Sequence, residues 1–214
     1  MGEHGGIPLT PSEAFKRVFV HWAAAEFDWP GHTEADLFAV NKVVNEPDFM
    51  PLMVLQEPMI ALKLGRHYKG AFRLTKAGQA LVGHPGRIFD TVVPAFLFRV
   101  DHAGFSRLND SPVLGPRGMF LNLLNVEAED GTTGAHLRRV LYGESETGPV
   151  PRYDALMGAL NIQVLRPLCW AGLLEKQESA KRYGTEDTLF VKTPLWRSAL
   201  VLDTDKEVVV AIRH

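Results

Sequence analysis

The side chains best equipped to do chemistry in this sequence are cations. Lys63, Arg66, Lys69, Arg73 and Lys76 follow one another closely, with His67 among them, and no acid intervenes between Glu57 and Asp90. Cations gathered in this way neutralise phosphate groups, and the attraction they supply weakens as salt rises. The plainer role for such a run is a solvated face whose aliphatic stems cover apolar surface. Lys63, Arg66, His67, Lys69, Arg73 and Lys76 are therefore the candidate nucleic-acid contacts. Trp29 is a second kind of candidate. It stands before Pro30 in the turn-forming string Asp28-Trp29-Pro30-Gly31, and an exposed loop tryptophan can anchor a protein partner.

Other chemistries find little support. Of the eight histidines, none has another four residues along, and no Cys or Glu-x-x-His arrangement accompanies them, so no metal site is expected. Cys169 sits among apolar neighbours in PLCWAGLL, where a small buried thiol is inert. Ser106 and Ser198 have no base nearby in sequence and no elbow glycines, and neither a P-loop nor a dinucleotide fingerprint is present. No catalytic residue is assigned, no cofactor is implied, and the chain is not expected to be an enzyme.

The elements that must carry these side chains are largely helical. Thr10-Pro11-Ser12-Glu13 combines an N-cap, a proline and a Glu placed to close a capping box, which predicts a helix from there to about Phe27 with Phe15, Val18, Phe19 and Trp22 at helical spacing. Thr33 caps a second helix in which Leu37, Val40 and Val44 share a face. A third lies within Pro51 to Leu64, kinked or restarted near Pro58. Tyr68 to Leu74 reads as strand and Thr75 opens the helix TKAGQAL. Pro85 to Val100 then reads as a long connector helix bent near Pro94, and residues 104–118 are rich in turn formers.

Much of this order recurs. Val54–Leu81 and Val164–Leu200 both run from an apolar helix through a polar stretch and a strand to a Thr-capped helix, and duplication of one folding unit is the simplest explanation. In the second copy Met119–Ala128 is helix 1, Thr132 or Thr133 caps a helix through Tyr142, and Tyr153–Leu174 supplies helix 3, interrupted at Pro167. VVVAI near the end predicts a strand. Trp22, Trp170 and Trp196, with Phe15, Phe19 and Phe72, are expected to point inward.

Three helices closed by a strand pair with a basic turn, ending in GAFRLTKAGQAL, resemble the winged helix-turn-helix superfamily. The resemblance covers about residues 10–83 and implies a mainly α fold with small β wings, as tandem winged-helix domains joined by a helical connector. The expected boundaries are 1–9 for a loose N-terminus, 10–84 for the first unit, 85–117 for the connector and loop, and 118–214 for the second unit with its β arm.

Composition narrows the function further. With 23 basic and 25 acidic residues the chain carries a formal charge of -2, so any contact with nucleic acid must come from a local patch. The second wing, KQESAKRYGTED, mixes both signs. The segment that would read a major groove, EPDFMPLMVLQEPMIAL, is acidic and apolar, whereas such a helix needs polar reach. Its repeat offers mainly Arg152, Asn161, Gln163 and Arg166. One cysteine excludes an internal disulfide, the N-terminus lacks the regions of a signal peptide, and no apolar run approaches a bilayer span. A cytoplasmic protein without membrane contact is expected. Two functions fit: a bacterial regulator whose first wing touches the phosphates of double-stranded DNA, or an interaction module that keeps the fold and binds a protein partner or a second copy of itself.

Overall fold

The computed structural model describes residues 5–27, 29, 31–106, 114–143, 154–177 and 188–206. The chain forms two compact units, Met1–Val100 and Asp101–His214. Each is an α+β unit with one small antiparallel sheet. No helix among the described residues is long and apolar enough to cross a membrane.

The first unit runs β1 (Ile7–Pro8), α1 (Arg17–Glu26), α2 (Glu34–Val40), a 3-10 turn (Glu46–Asp48), α3 (Met50–Ala61), β2 (Gly65–Tyr68), β3 (Ala71–Leu74), α4 (Lys76–Gln79) and α5 (Pro85–Arg99). Its strands lie in the order β1-β3-β2. Thr33 caps α2 through a reciprocal bond with Asp36, and α3 runs unbroken through the buried Pro58. Val92 of α5 packs with Leu64 and Leu81.

The predicted start of helix 1 is displaced. Leu9 and Phe15 meet across an antiparallel bridge, the Thr10 N–H donates to the Ala14 carbonyl at 2.8 Å, and the Thr10 hydroxyl accepts from the Ala14 N–H at 3.1 Å. Residues 10–14 thus close as a loop, with Glu13 in the left-handed region at φ 63°. Burying Leu9 and Phe15 together in the core outweighs the capping signal, because local motifs are weak beside apolar burial. The inward face of α1 also differs from the aromatic spacing. Val20, Ala23 and Ala24 are buried, while Val18 is 85% and Trp22 51% exposed. Leu37 and Val44 are buried as expected, but Val40 faces solvent because α2 ends there.

The second unit opens with a 3-10 turn (His102–Phe105). It continues through α6 (Arg117–Glu127), β4 (Thr132–Thr133), α7 (Gly134–Tyr142), α8 (Ala155–Leu160), a π-helical turn (Asn161–Leu165), α9 (Arg166–Trp170), β5 (Leu174–Gln177), β6 (Leu189–Lys192) and α10 (Pro194–Ala199). Its sheet order is β4-β6-β5. The π turn ends where Pro167, lacking an N–H, cannot bond the carbonyl four residues back. The VVVAI run lies outside the described residues.

The repeat holds atom by atom where the third helix meets the hairpin. The Leu62 N–H bonds the Pro58 carbonyl as the Ala171 N–H bonds that of Pro167, both at 2.9 Å, and Leu64 to Met59 at 2.8 Å matches Leu173 to Leu168 at 2.9 Å. The Thr75 hydroxyl donates to the Lys63 carbonyl, and Thr193 to Gly172, each at 2.6 Å. The source of the third strand differs between the units. In the first it precedes α1, and in the second it lies between α6 and α7.

Two residues of these elements carry measurable energetic consequences. Lys63 occupies the left-handed turn, φ 57°, that the second unit gives to Gly172, φ 72°. An L side chain is disfavoured there, so Lys63→Gly should stabilise the first unit by about 0.5–1 kcal/mol in urea denaturation, the relief of strain exceeding the added freedom of the unfolded chain. In the second unit Asp154 caps α8 through the Leu156 and Met157 N–H groups and meets Arg138 Nε at 2.7 Å. Burial acts to raise its carboxyl, but the Met157 bond and the Arg138 pair outweigh it and hold the group below the usual carboxylate range. A depressed carboxylate stabilises above its unfolded pKa and loses that effect as pH falls. Asp154→Ala should therefore cost about 1–2 kcal/mol near neutrality, and its gap from the parent should shrink below about pH 4.

Candidate nucleic-acid interface

The hairpin β2-β3 divides the basic residues between its two faces. Its turn is Lys69-Gly70, both with positive φ, 50° and 71°, as two-residue hairpin loops require. That turn sets the register Arg66↔Arg73, His67↔Phe72 and Tyr68↔Ala71. Since side chains alternate along a strand, Phe72 and His67 share the inner face, their rings 5.8 Å apart, and Arg66, Tyr68 and Arg73 share the outer one.

On the outer face the cations converge on one ring. Arg66 Cζ lies 5.1 Å, Lys69 Nζ 5.4 Å and Arg73 Cζ 5.3 Å from the Tyr68 centroid, within the range of a cation–π contact. Tyr68 itself is 42% exposed. Among the described residues none of the three cations forms an ion pair, and Arg73 Nε is buried without a hydrogen-bond partner. β1 lies alongside with Pro8 opposite Ala71. Gly6 lets the chain pass close by, since a Cβ there would come within 2.8 Å of Arg73 Cγ. Lys63 and Lys76 are exposed at the open end of the hairpin, away from its turn.

His67 faces the other way from the arginines of the basic run. Glu46 is only 4% exposed, accepts the Phe15 N–H at 2.7 Å, and takes a second bond from the Gln56 amide nitrogen. Gln56 must then present its oxygen to His67 Nε2, 3.0 Å away, so that nitrogen donates. His67 Nδ1 meets Glu13 at 3.1 Å, a contact that is ionic when the ring holds both protons. The imidazole therefore ties the hairpin to α3 and to the loop before α1, and it does not face outward with the arginines.

Trp29 is half-buried and packs against the core of the first unit, so only part of the side chain is open to solvent. Helix α3 contributes no cation: Glu57 is its sole charge, exposed beside Ile60 and Ala61. In the second unit Lys192 and Arg197 both pair with Glu129, and Arg166 lies over Trp170 at 4.9 Å. Burial lowers the Arg166 pKa and pushes the Cys169 thiol up to about 12. Trp196 is buried as expected, its indole N–H donating to Asn125 Oδ1 at 3.0 Å, while Trp170 is half-buried. Arg152, Lys181 and Arg182 lie outside the described residues. No group of three or more His, Cys, Asp or Glu side chains among the described residues is placed to hold a metal.

The two units coincide with two sequence families. Residues 1–87 match the model of the Y4jL N-terminal domain and residues 106–194 that of the Y4jL C-terminal domain. The chain is a two-domain member of the Y4jL family. A relative from Sinorhizobium fredii, described as the uncharacterized protein y4jL, is 41% identical over 147 residues, which span 69% of this chain and 66% of the relative, just under two thirds of its length. No solved structure matches the chain. The basic hairpin falls entirely inside the Y4jL N-terminal domain.

Tyr68, Gln56, Glu46 and Glu13 carry the geometry of this region, and sequence reasoning assigned none of them a part in the basic site. The string RHYKGAFR held the signal for Tyr68: Lys69-Gly70 at the centre of an alternating pattern places Arg66 opposite Arg73 and Tyr68 on their face. The buried carboxylate yields a prediction. Glu46→Ala should destabilise the first unit by about 2–3 kcal/mol, because it strands the Phe15 N–H and the Gln56 amide. Glu13→Ala, at a largely exposed carboxylate, should cost clearly less, as urea denaturation of the two variants will show.

Proposed function

We propose that this protein is a non-enzymatic regulator that contacts the phosphates of double-stranded DNA through the hairpin of its first unit, and that both units are winged helices. The fold reading draws support from the second unit, where helix, short strand, helix, interrupted third helix and hairpin follow in order, with β4 pairing on the returning strand β6. The first unit departs from that order by drawing its third strand from the N-terminal side of α1. The observation that carries the functional reading is the gathering of Arg66, Lys69 and Arg73, none of them ion-paired among the described residues, on one outer sheet face. Unpaired cations on a fixed strand pair lower their mutual repulsion when phosphate arrives. With no cation on α3, contact without base reading is what this arrangement favours.

A second reading rests on a different observation. Val18 and Trp22 of α1 and Ile60 of α3 are exposed, which suits a protein-interaction module of the same fold.

Binding of the full chain to random duplex DNA, measured by fluorescence anisotropy across a salt series, tests the first reading. Affinity should fall steeply with salt, and Arg66→Glu with Arg73→Glu should reduce the slope by about 0.9 for each phosphate no longer neutralised. Absence of binding at low salt, or an unchanged slope in the double variant, would refute it in favour of the interaction module.

A further inference from the structure

The outer face of the first sheet is organised as two parallel rows. Register places Arg66 opposite Arg73 in one, and Tyr68, Ala71 and Pro8 side by side in the other. The first row is cationic. The second is a low apolar strip with an aromatic ring at its end, Pro8 and Tyr68 both being exposed.

The charge is also concentrated. Arg66, Lys69 and Arg73 all lie within 5.4 Å of one centroid, so no two of these charges are more than about 11 Å apart. Like charges directly opposite in a sheet repel, and no acid among the described residues is paired with them. An internal phosphodiester would bring one negative charge to this point. A phosphomonoester brings about 1.5–2 at neutral pH with three acceptor oxygens, a closer match for two guanidinium forks and an ammonium. The apolar strip beside them suits the flat face of a base, as aromatic platforms for single strands do.

From this geometry we infer that the sheet face of the first unit is a site for a nucleotide phosphomonoester, with Arg66, Arg73 and Lys69 on the phosphate and Tyr68, Ala71 and Pro8 beneath the base. This deepens the reading that the same face takes nucleic-acid phosphate, and rests on it. Two sources present the group: a free nucleoside 5′-monophosphate and the 5′ end of a phosphorylated strand.

Isothermal titration of the full chain distinguishes them, using adenosine 5′-monophosphate, a 5′-phosphorylated single-stranded oligonucleotide, and the same oligonucleotide ending in a 5′-hydroxyl. The phosphorylated strand should bind at least about tenfold more tightly than the hydroxyl one. Arg66→Ala with Arg73→Ala should erase that preference, and Tyr68→Ala should weaken binding of both strands, with circular dichroism confirming that the variants stay folded. Mononucleotide binding that matches the phosphorylated strand would identify the free nucleotide as the source. Equal affinity for the two strands, or a preference that survives the arginine double variant, overturns the inference. Salt-sensitive duplex binding without any preference for the terminal phosphate would sink this inference alone. Monophosphate binding without duplex binding would uphold it and sink the broader reading.

Discussion

A carboxylate removed from water needs donors for both its oxygens, or it must give up its charge. Glu46 meets that need by drawing on segments far apart in sequence: the backbone of Phe15 at the entry to α1 and the side chain of Gln56 on α3. Gln56 has no freedom left to turn, so its oxygen faces the hairpin, and His67 follows. Helix, loop and hairpin in the first unit are held by one polar chain that starts at the buried Glu46 and reaches the surface at Glu13. Polar networks of this kind specify a unique arrangement only when every member is satisfied, and Glu13, in a left-handed backbone within the loop from Thr10 to Ala14, supplies the last partner.

The repeated segment shows what is common to both units and what each adds. Where the third helix ends, the two copies share their carbonyl partners and a threonine that closes the turn. Their polar surroundings then diverge. In the second unit Lys192 and Arg197 share the carboxylate of Glu129, and Asn125 gathers Trp196, Thr204 and Asp205. In the first, the cations of the hairpin turn outward, and among the described residues no acid is paired with them. The same backbone solution thus carries ion-paired cations in one unit and, among the described residues, cations without an ion pair in the other.

Signals confined to a few neighbouring residues were legible in the sequence. The caps at Thr33, Thr75, Thr133 and Thr193 all form, because an N-cap depends only on the next three residues. The capping box at Thr10 failed for the opposite reason: Leu9 and Phe15 pair across it, and no local pattern reports a partner brought from the other side of the loop. Trp22 misled in the same way, since the core side of α1 is set by the small residues Ala23 and Ala24, where close approach matters more than bulk. Within the candidate site, the basic run was visible as composition, but its division into faces was not. Separating His67 from Arg66 and Tyr68 required the hairpin register, and its inward role required Gln56, a partner on another element.

The hairpin has a consequence for how this surface can change. Adjacent positions on a strand point to opposite sides, so Phe72 in the core and Arg73 outside it are two readings of a single alignment. A slip of β3 by one residue against β2 would exchange the sides of that strand, turning Arg73 inward and stripping the interior of its aromatic anchor. Anything that keeps the interior intact therefore keeps the arginines on display, and the charge pattern inherits the robustness of the fold beneath it.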